Sequence, residues 1–435
     1  MAHVVHASFS MDILNGITYL PYLAYGLLII GFLSKTAALG LHIWLPGAHG
    51  EAESDVSPMV SAILLKAGVF GIVLTLIGMG AANTEYSELA YALGWLGAIT
   101  ALGGNLMAVF QEDAKRLLAY SSIGQLGYIV LGLAMMTHMG WLGGFSYVIN
   151  HFLYKAILFL TIGAVVMRVG THNMYQMGGL IKRMPLAFLA VMIGIIALSG
   201  VPPLSGFAGK WLFYNAILEK GWYFQGAIMF FSGSIAFMYL WRLIHTIFLG
   251  QLKDNLRTVK EISIWFLIPI YTLIAGVMVY SMKPQWVLQP LGNIIAKWFP
   301  EGQLQWVGET AISQYGQWAG SLVAITIMVS FVIVLVLLLI STRKAHKVKQ
   351  FDITYSGERP ERPETTHVAY NVFEGLYKAM WPATIPLVET WWSKVTEILH
   401  NIADVTRRIY SGNGQVYVVH IVLFIIVSYL VIIGG

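Results

Sequence analysis

Cysteine is absent from all 435 residues. Within this chain that excludes a cysteine-ligated iron–sulfur cluster, a thiolate zinc site and any disulfide. Charge is nearly as scarce: 11% of residues are Asp, Glu, Lys or Arg, against roughly 25% in soluble domains. With 57% hydrophobic residues and a mean hydropathy of +0.70, the chain reads as an integral membrane protein. The first 16 residues are mixed and lack a basic start, so no cleavable signal peptide is expected. The net charge of +5 suits lysines and arginines facing a cytoplasm and anionic lipid better than a nucleic-acid partner.

What is present is a series of long apolar runs. They predict an all-α polytopic membrane protein with about ten transmembrane helices, two of them broken, and an amphipathic segment on the cytoplasmic side. The expected spans are 17–45, 57–80, 89–110, 117–137, 142–168, 186–219, 222–249, 262–281, 318–340 and 416–433. This divides the chain into an external segment (1–16), a transmembrane core (17–281), an interfacial segment with one further span (282–340), a cytoplasmic connector with the amphipathic part (341–411) and a C-terminal anchor (412–435). The Trp- and Gln-rich stretch 284–317 reads as an interfacial excursion, and the charged tract 341–365 as a connector.

Charge placement supports this path. Lys115, Arg116, Arg168, Lys182, Arg183, Lys253, Arg257, Lys260, Arg343, Lys344, Lys347 and Lys349 fall on one side, and little beyond Lys220, Lys283 and Lys297 on the other. The basic side is then the cytoplasm, with both termini outside. Between Val368 and Ser411 charges mix with Trp381, Trp391 and Trp392 at helical spacing. That pattern fits a helix lying along the membrane surface or across a neighbouring subunit.

Carboxylates are scarce in the membrane interior but lysines are not. Lys35, Lys66, Lys155 and Lys210 each fall within an apolar run. A lysine at mid-bilayer costs about 2.5–3.5 kcal/mol on insertion scales, and such residues usually mark an ion or proton path. The ordinary reading of any one is a snorkelling side chain, which is weak for four together. Lysine also gives up its proton readily when buried, as arginine does not. His151 stands four residues before Lys155, on the same helix face. It reads either as a histidine bound to a nearby carbonyl or as a relay. Ser57-Pro58 opens the second span, and the run Ser199 to Gly209 interrupts the sixth just before Lys210. Broken helices at membrane depth are tolerated where they line a cavity or a protein interior. Glu51, Glu53, Asp55, Glu112 and Asp113 all lie in loops.

The motifs SKTAALGLHIWLPGAHGEAESDVSPMVSAILLKAGVFG, QEDAKRLLAYSSIGQLGY, NHFLYKAILFLTIGAV, GGLIKRMP and SGVPPLSGFAGKW occur in that order between residues 34 and 211. They resemble the antiporter-like proton-channel subunits of respiratory complex I, Mrp-type antiporters, and energy-converting membrane hydrogenases and formate hydrogenlyases. The resemblance implies two inverted five-helix repeats, each with a broken helix. It places the lysine before the first broken helix, paired in the family with a glutamate on an earlier helix, on Lys35. The central lysine of that broken helix falls on Lys66, the link between half-channels on His151 and Lys155, and the terminal residue on Lys210. The stretch RRIYSGNGQVYVVHIVLFIIVSYL is similar to the last helix of hydrogenase-type members.

One departure is large: the family's first six helices, including the glutamate partner of Lys35, have no counterpart in this sequence. The expectation is that another membrane subunit supplies them. The function implied is proton translocation, with sodium coupling left open, in a redox-driven respiratory or hydrogenase-type complex. An Mrp-type antiporter component and a non-pumping scaffold are the alternatives. No cofactor is expected in this chain. The expected partners are other membrane subunits, peripheral iron–sulfur redox subunits and the lipid bilayer.

Overall fold

The computed structural model describes residues 20–80, 86–341, 367–384, 387–409 and 414–434. The segment 1–16, nearly all of the connector 341–365 and its basic residues Arg343, Lys344, Lys347 and Lys349 lie outside them. Two compact units are present, one ending at Lys378 and one running from Ala379.

The first unit opens with α1 (Leu20–Lys35) and α2 (Trp44–Glu51), separated by an irregular turn. Gly40 sits there at φ +96, a conformation in which a side chain is strained. The indole of Trp44 closes the turn by donating to the Ser34 carbonyl at 3.0 Å. This corrects the sequence reading. The first interruption falls directly after Lys35 and not at Ser57-Pro58, so Lys35 ends a helix and does not sit inside one. Pro58 lies in the first turn of α3 (Val56–Gly78), where its missing N–H would find no intrahelical partner anyway. α3 is continuous, with a π-helical segment at Val60–Leu64 just before Lys66.

The core follows: α4 (Ser87–Val109), α5 (Ala114–Ala134), α6 (His138–Val169), α7 (Pro185–Ser199), α8 (Gly206–Lys220), α9 (Tyr223–Leu249) and α10 (Ile264–Met282). α5 is buried on every side, and Asp113 caps its start by accepting from the amides of Lys115 and Arg116. Small residues let α4 approach it closely. A side chain on Gly104 would begin 2.4 Å from the Gly124 nitrogen, and one on Gly127 2.4 Å from the Ala101 nitrogen. α7 and α8 form the expected broken helix, interrupted at residues 200–205.

Beyond α10 the sequence reading missed a small sheet. α11 (Gln285–Ile295) leads into β1 (Gln305–Val307), β2 (Thr310–Ser313) and β3 (Gly316–Ala319), an antiparallel meander in the order β1-β2-β3. Two-residue turns join the strands, with Val307 opposite Thr310 and Ser313 opposite Gly316. Trp318 packs against Trp211 and Phe207 of α8. α12 (Gly320–Ser341) is apolar all round and almost entirely uncovered by the rest of the chain.

Among the described residues seven helices are long and apolar enough to cross a membrane by length and composition, namely α3, α4, α5, α6, α9, α10 and α12. α1, α7 and a stretch of the last helix are apolar but shorter. α13 (Glu374–Thr384) runs across the boundary between the units. The second unit holds α14 (Leu387–Ile409) and α15 (Gly414–Gly434). Trp391, Ile398, Leu399, Ile402 and Val405 recur at helical spacing on α14 and are exposed.

Candidate functional site

Three of the four span lysines belong to one buried polar thread. Lys66 on α3 places its ammonium 2.5 Å from Nδ1 of His151 and donates to the Ser61 carbonyl at 2.7 Å. His151 and Lys155 lie one turn apart on α6 and are fully buried. The Lys155 ammonium donates to the Leu118 carbonyl of α5 at 2.9 Å and to the Ser121 hydroxyl. Ser61 joins α3 to α5 through the Ser122 hydroxyl at 2.8 Å, and Ser122 donates to the same Leu118 carbonyl.

From Lys155 the polar groups continue across α5. The Tyr239 hydroxyl meets Ser121 and Gln125 and donates to Oδ1 of Asn105 at 3.2 Å. Tyr154 donates to Gln125 at 3.2 Å. The Asn105 amide donates to the Ser232 hydroxyl at 2.8 Å and to its carbonyl at 3.1 Å. Tyr128, whose hydroxyl meets Ser232 and donates to the Met229 carbonyl, then faces Lys210. Both the Tyr128 oxygen and the Lys210 ammonium stand 3.4 Å from the point where a Gly233 side chain would begin, so the two border one small gap. Lys210 donates to the Ser199 carbonyl at 2.5 Å, the last residue of α7. Gly200, at φ +66, leaves room for the lysine stem.

Lys35 is not brought into this thread. It is exposed at the end of α1, with no ion-pair or hydrogen-bond partner among the described residues. Leu23, Leu27 and Ile30 form an exposed stripe leading up the helix towards it.

The sequence reading gave no role to Ser61, Asn105, Ser121, Ser122, Gln125, Tyr128, Tyr154, Ser232 or Tyr239. The run AYSSIGQLGY carried a signal, since Ser121, Gln125 and Tyr128 recur at helical spacing inside an expected span. Asn105, Ser232 and Tyr239 had none, because only the fold brings α4 and α9 to this side of α5.

On the face bearing the basic loops, the segment from His367 is held against the core. The Tyr175 carbonyl lies 2.9 Å from Nε2 of His367 and accepts from Lys253 at 2.5 Å. Burial, with Lys253 beside it, holds His367 down to about 4. Burial also lowers Lys253 and raises the Tyr175 phenol, the latter opposed by Arg242. Arg242 donates to the Tyr175 hydroxyl at 2.5 Å and to the Val109 carbonyl. No group of three His, Asp or Glu residues stands close enough to hold a metal among the described residues.

The arrangement is that of a polar path without fixed negative charge, and its relatives share the fold. The chain is 38% identical over 207 residues to hydrogenase-4 component B of Escherichia coli, covering 44% of this chain and 30% of that one. It is 30% identical over 285 residues to NADH-quinone oxidoreductase subunit N of Desulforudis audaxviator, covering 63% and 56%. It thus spans about a third to a half of these curated relatives. A chain of an archaeal respiratory complex, the membrane-bound sulfane sulfur reductase, superposes with a TM-score of 0.85 at 29% identity, covering 98% of this chain and 70% of that one. A chain of respiratory complex I from Thermus thermophilus gives 0.57 at 26% identity, covering 64% and 59%. Residues 11–236, just over half of the chain, match the transmembrane family of the NADH:quinone oxidoreductase and Mrp antiporter subunits, and the chain belongs to that family.

Proposed function

We propose that this antiporter-like subunit translocates protons within a redox-driven respiratory or hydrogenase-type complex. The observation that carries the reading is the polar thread from Lys66 through His151 and Lys155 to Tyr128, with Lys210 across one small gap beside Gly233. Lys66, His151 and Lys155 are close enough to shift one another's proton affinity, so protonation of one favours release from the next. Electron transfer belongs to other subunits, because no cysteine is available here to ligate a cluster.

The similarity to a respiratory reductase chain over nearly the whole length supports the redox reading over an Mrp-type antiporter, whose solved relative gives a TM-score of 0.60 over 64% of this chain. Ten spans, with basic loops in the cytoplasm and both termini outside, accommodate the seven long helices together with α1, the α7/α8 pair and α15. The exposed stripe of α1 supports a neighbouring subunit there, one that brings a carboxylate to Lys35. The test is proton uptake by the complex isolated through this chain and reconstituted in vesicles. Lys66→Ala should abolish it, whereas unchanged uptake would leave a scaffold.

A further inference from the structure

His49, on α2, is fully buried, and neither ring nitrogen has a partner among the described residues. Leaving a buried polar group unpaired costs about 1–3 kcal/mol, so such a site calls for buried water. Its ring stacks on Phe159 with centroids 4.5 Å apart, and the Lys155 ammonium stands 5.9 Å from the centre of that same ring. The imidazole and the Lys155 ammonium, in the middle of the thread, therefore share one aromatic neighbour.

In the other direction His49 faces the surface that carries the basic loops. Lys115 of α5 is buried beside it and donates to the Ala52 carbonyl at 2.8 Å, one residue beyond the end of α2. Lys155 and Lys115 are the two charges that act on the ring. The Arg116 stem packs at Gly50. Glu51, Glu53 and Asp55 follow within six residues and are all exposed, the densest group of carboxylates near the thread. Asp113, which caps α5, is bound to His172.

We propose that His49 is the proton-uptake residue that links the carboxylate-bearing surface at residues 51–55 to Lys155 through buried water. This rests on the translocation reading above. Neutral imidazole can accept a proton on one nitrogen while releasing one from the other, and then exchange tautomers. Proton count and charge are conserved in each transfer, and no co-reactant is needed. Lys155 hydrogen-bonds a carbonyl and a serine hydroxyl, and among the described residues no carboxylate pairs with its ammonium.

The test uses the whole complex isolated through this chain and sealed into vesicles. Uptake is driven by a potassium–valinomycin potential and read with an entrapped pH dye. His49→Gln keeps a polar side chain of similar size that cannot carry a proton. Uptake at least ten-fold slower, with the complex eluting at its usual size, is the expected result. If His49 only fills space, Gln supports the normal rate. Normal uptake in His49→Gln beside abolished uptake in Lys66→Ala would overturn this inference and leave the translocation reading standing. Normal uptake in both variants would overturn both. Should His49→Gln fail to assemble, the surface variant Glu51→Gln/Glu53→Gln reads the same path. A several-fold slowing is then expected, and an unchanged rate would refute the proposal.

Discussion

Replacing Gly124 by alanine tests whether the thread depends on the close approach of α4 and α5. The new Cβ would stand 2.3 Å from Oδ1 and 3.1 Å from the backbone nitrogen of Asn105, where ordinary contact begins at 3.4 Å. Relief requires about 1 Å of movement, by the Asn105 amide or by the helices. The amide is not free to move, since it donates to Ser232 twice and accepts from Tyr239. Overpacking costs about 1–3 kcal/mol and a lost buried hydrogen bond about 1 more. Alanine's better helix propensity returns about 1 kcal/mol, leaving a net loss of about 1–3. Heating the detergent-solubilised complex and following its elution should show a lowered midpoint, together with slower proton uptake. Gly375→Ala is the control, because its Cβ would meet nothing within 4 Å. A Gly124→Ala complex as stable as the parent would mean that the helices lie further apart than described and that Asn105 is not fixed by them.

Other consequences are open to direct measurement. Ser122→Ala removes the hydroxyl bridge to Ser61, which should cost about 1 kcal/mol of stability and slow uptake several-fold, as read in the same vesicles. The docking of residues 367–378 should weaken as pH falls from about 6.5 towards 4. The released His367 binds a proton in that window and the packed one does not, so up to about 3 kcal/mol is lost. Hydrogen exchange of this segment at pH 7 and pH 4.5 shows the difference, and His367→Phe should remove it. A peptide spanning residues 387–409 should bind anionic vesicles with a blue shift of Trp391 and Trp392 fluorescence; an unshifted spectrum would refute a surface-lying α14.

Periodicity and composition made the long helices and the α7/α8 break legible, because a bilayer permits so few solutions. Lys66, His151, Lys155 and Lys210 were legible because charge inside apolar runs is expensive and therefore conspicuous. The break after Lys35 was not, since Thr36 to Ile43 is as apolar as a span and only Gly40 hints at a turn. The sheet was hidden for a related reason: its strands are three or four residues long, and their tryptophans look interfacial. Asn105, Ser232 and Tyr239 are common residues in unremarkable places. Their importance comes from helix crossings that no local pattern records.

The main-chain oxygens that receive the lysines have a further consequence. Lys66, Lys155 and Lys210 rest on the carbonyls of Ser61, Leu118 and Ser199, and Lys35 sits at the C-terminal, electronegative end of α1. In a buried ion pair, losing the proton strands an anion in low dielectric, a penalty of several kcal/mol that locks the pair in one state. A carbonyl has no net charge to strand. The neutral amine can keep donating to the same oxygen that held the ammonium, so under the proposed translocation each of these lysines could empty and refill with its surroundings unchanged.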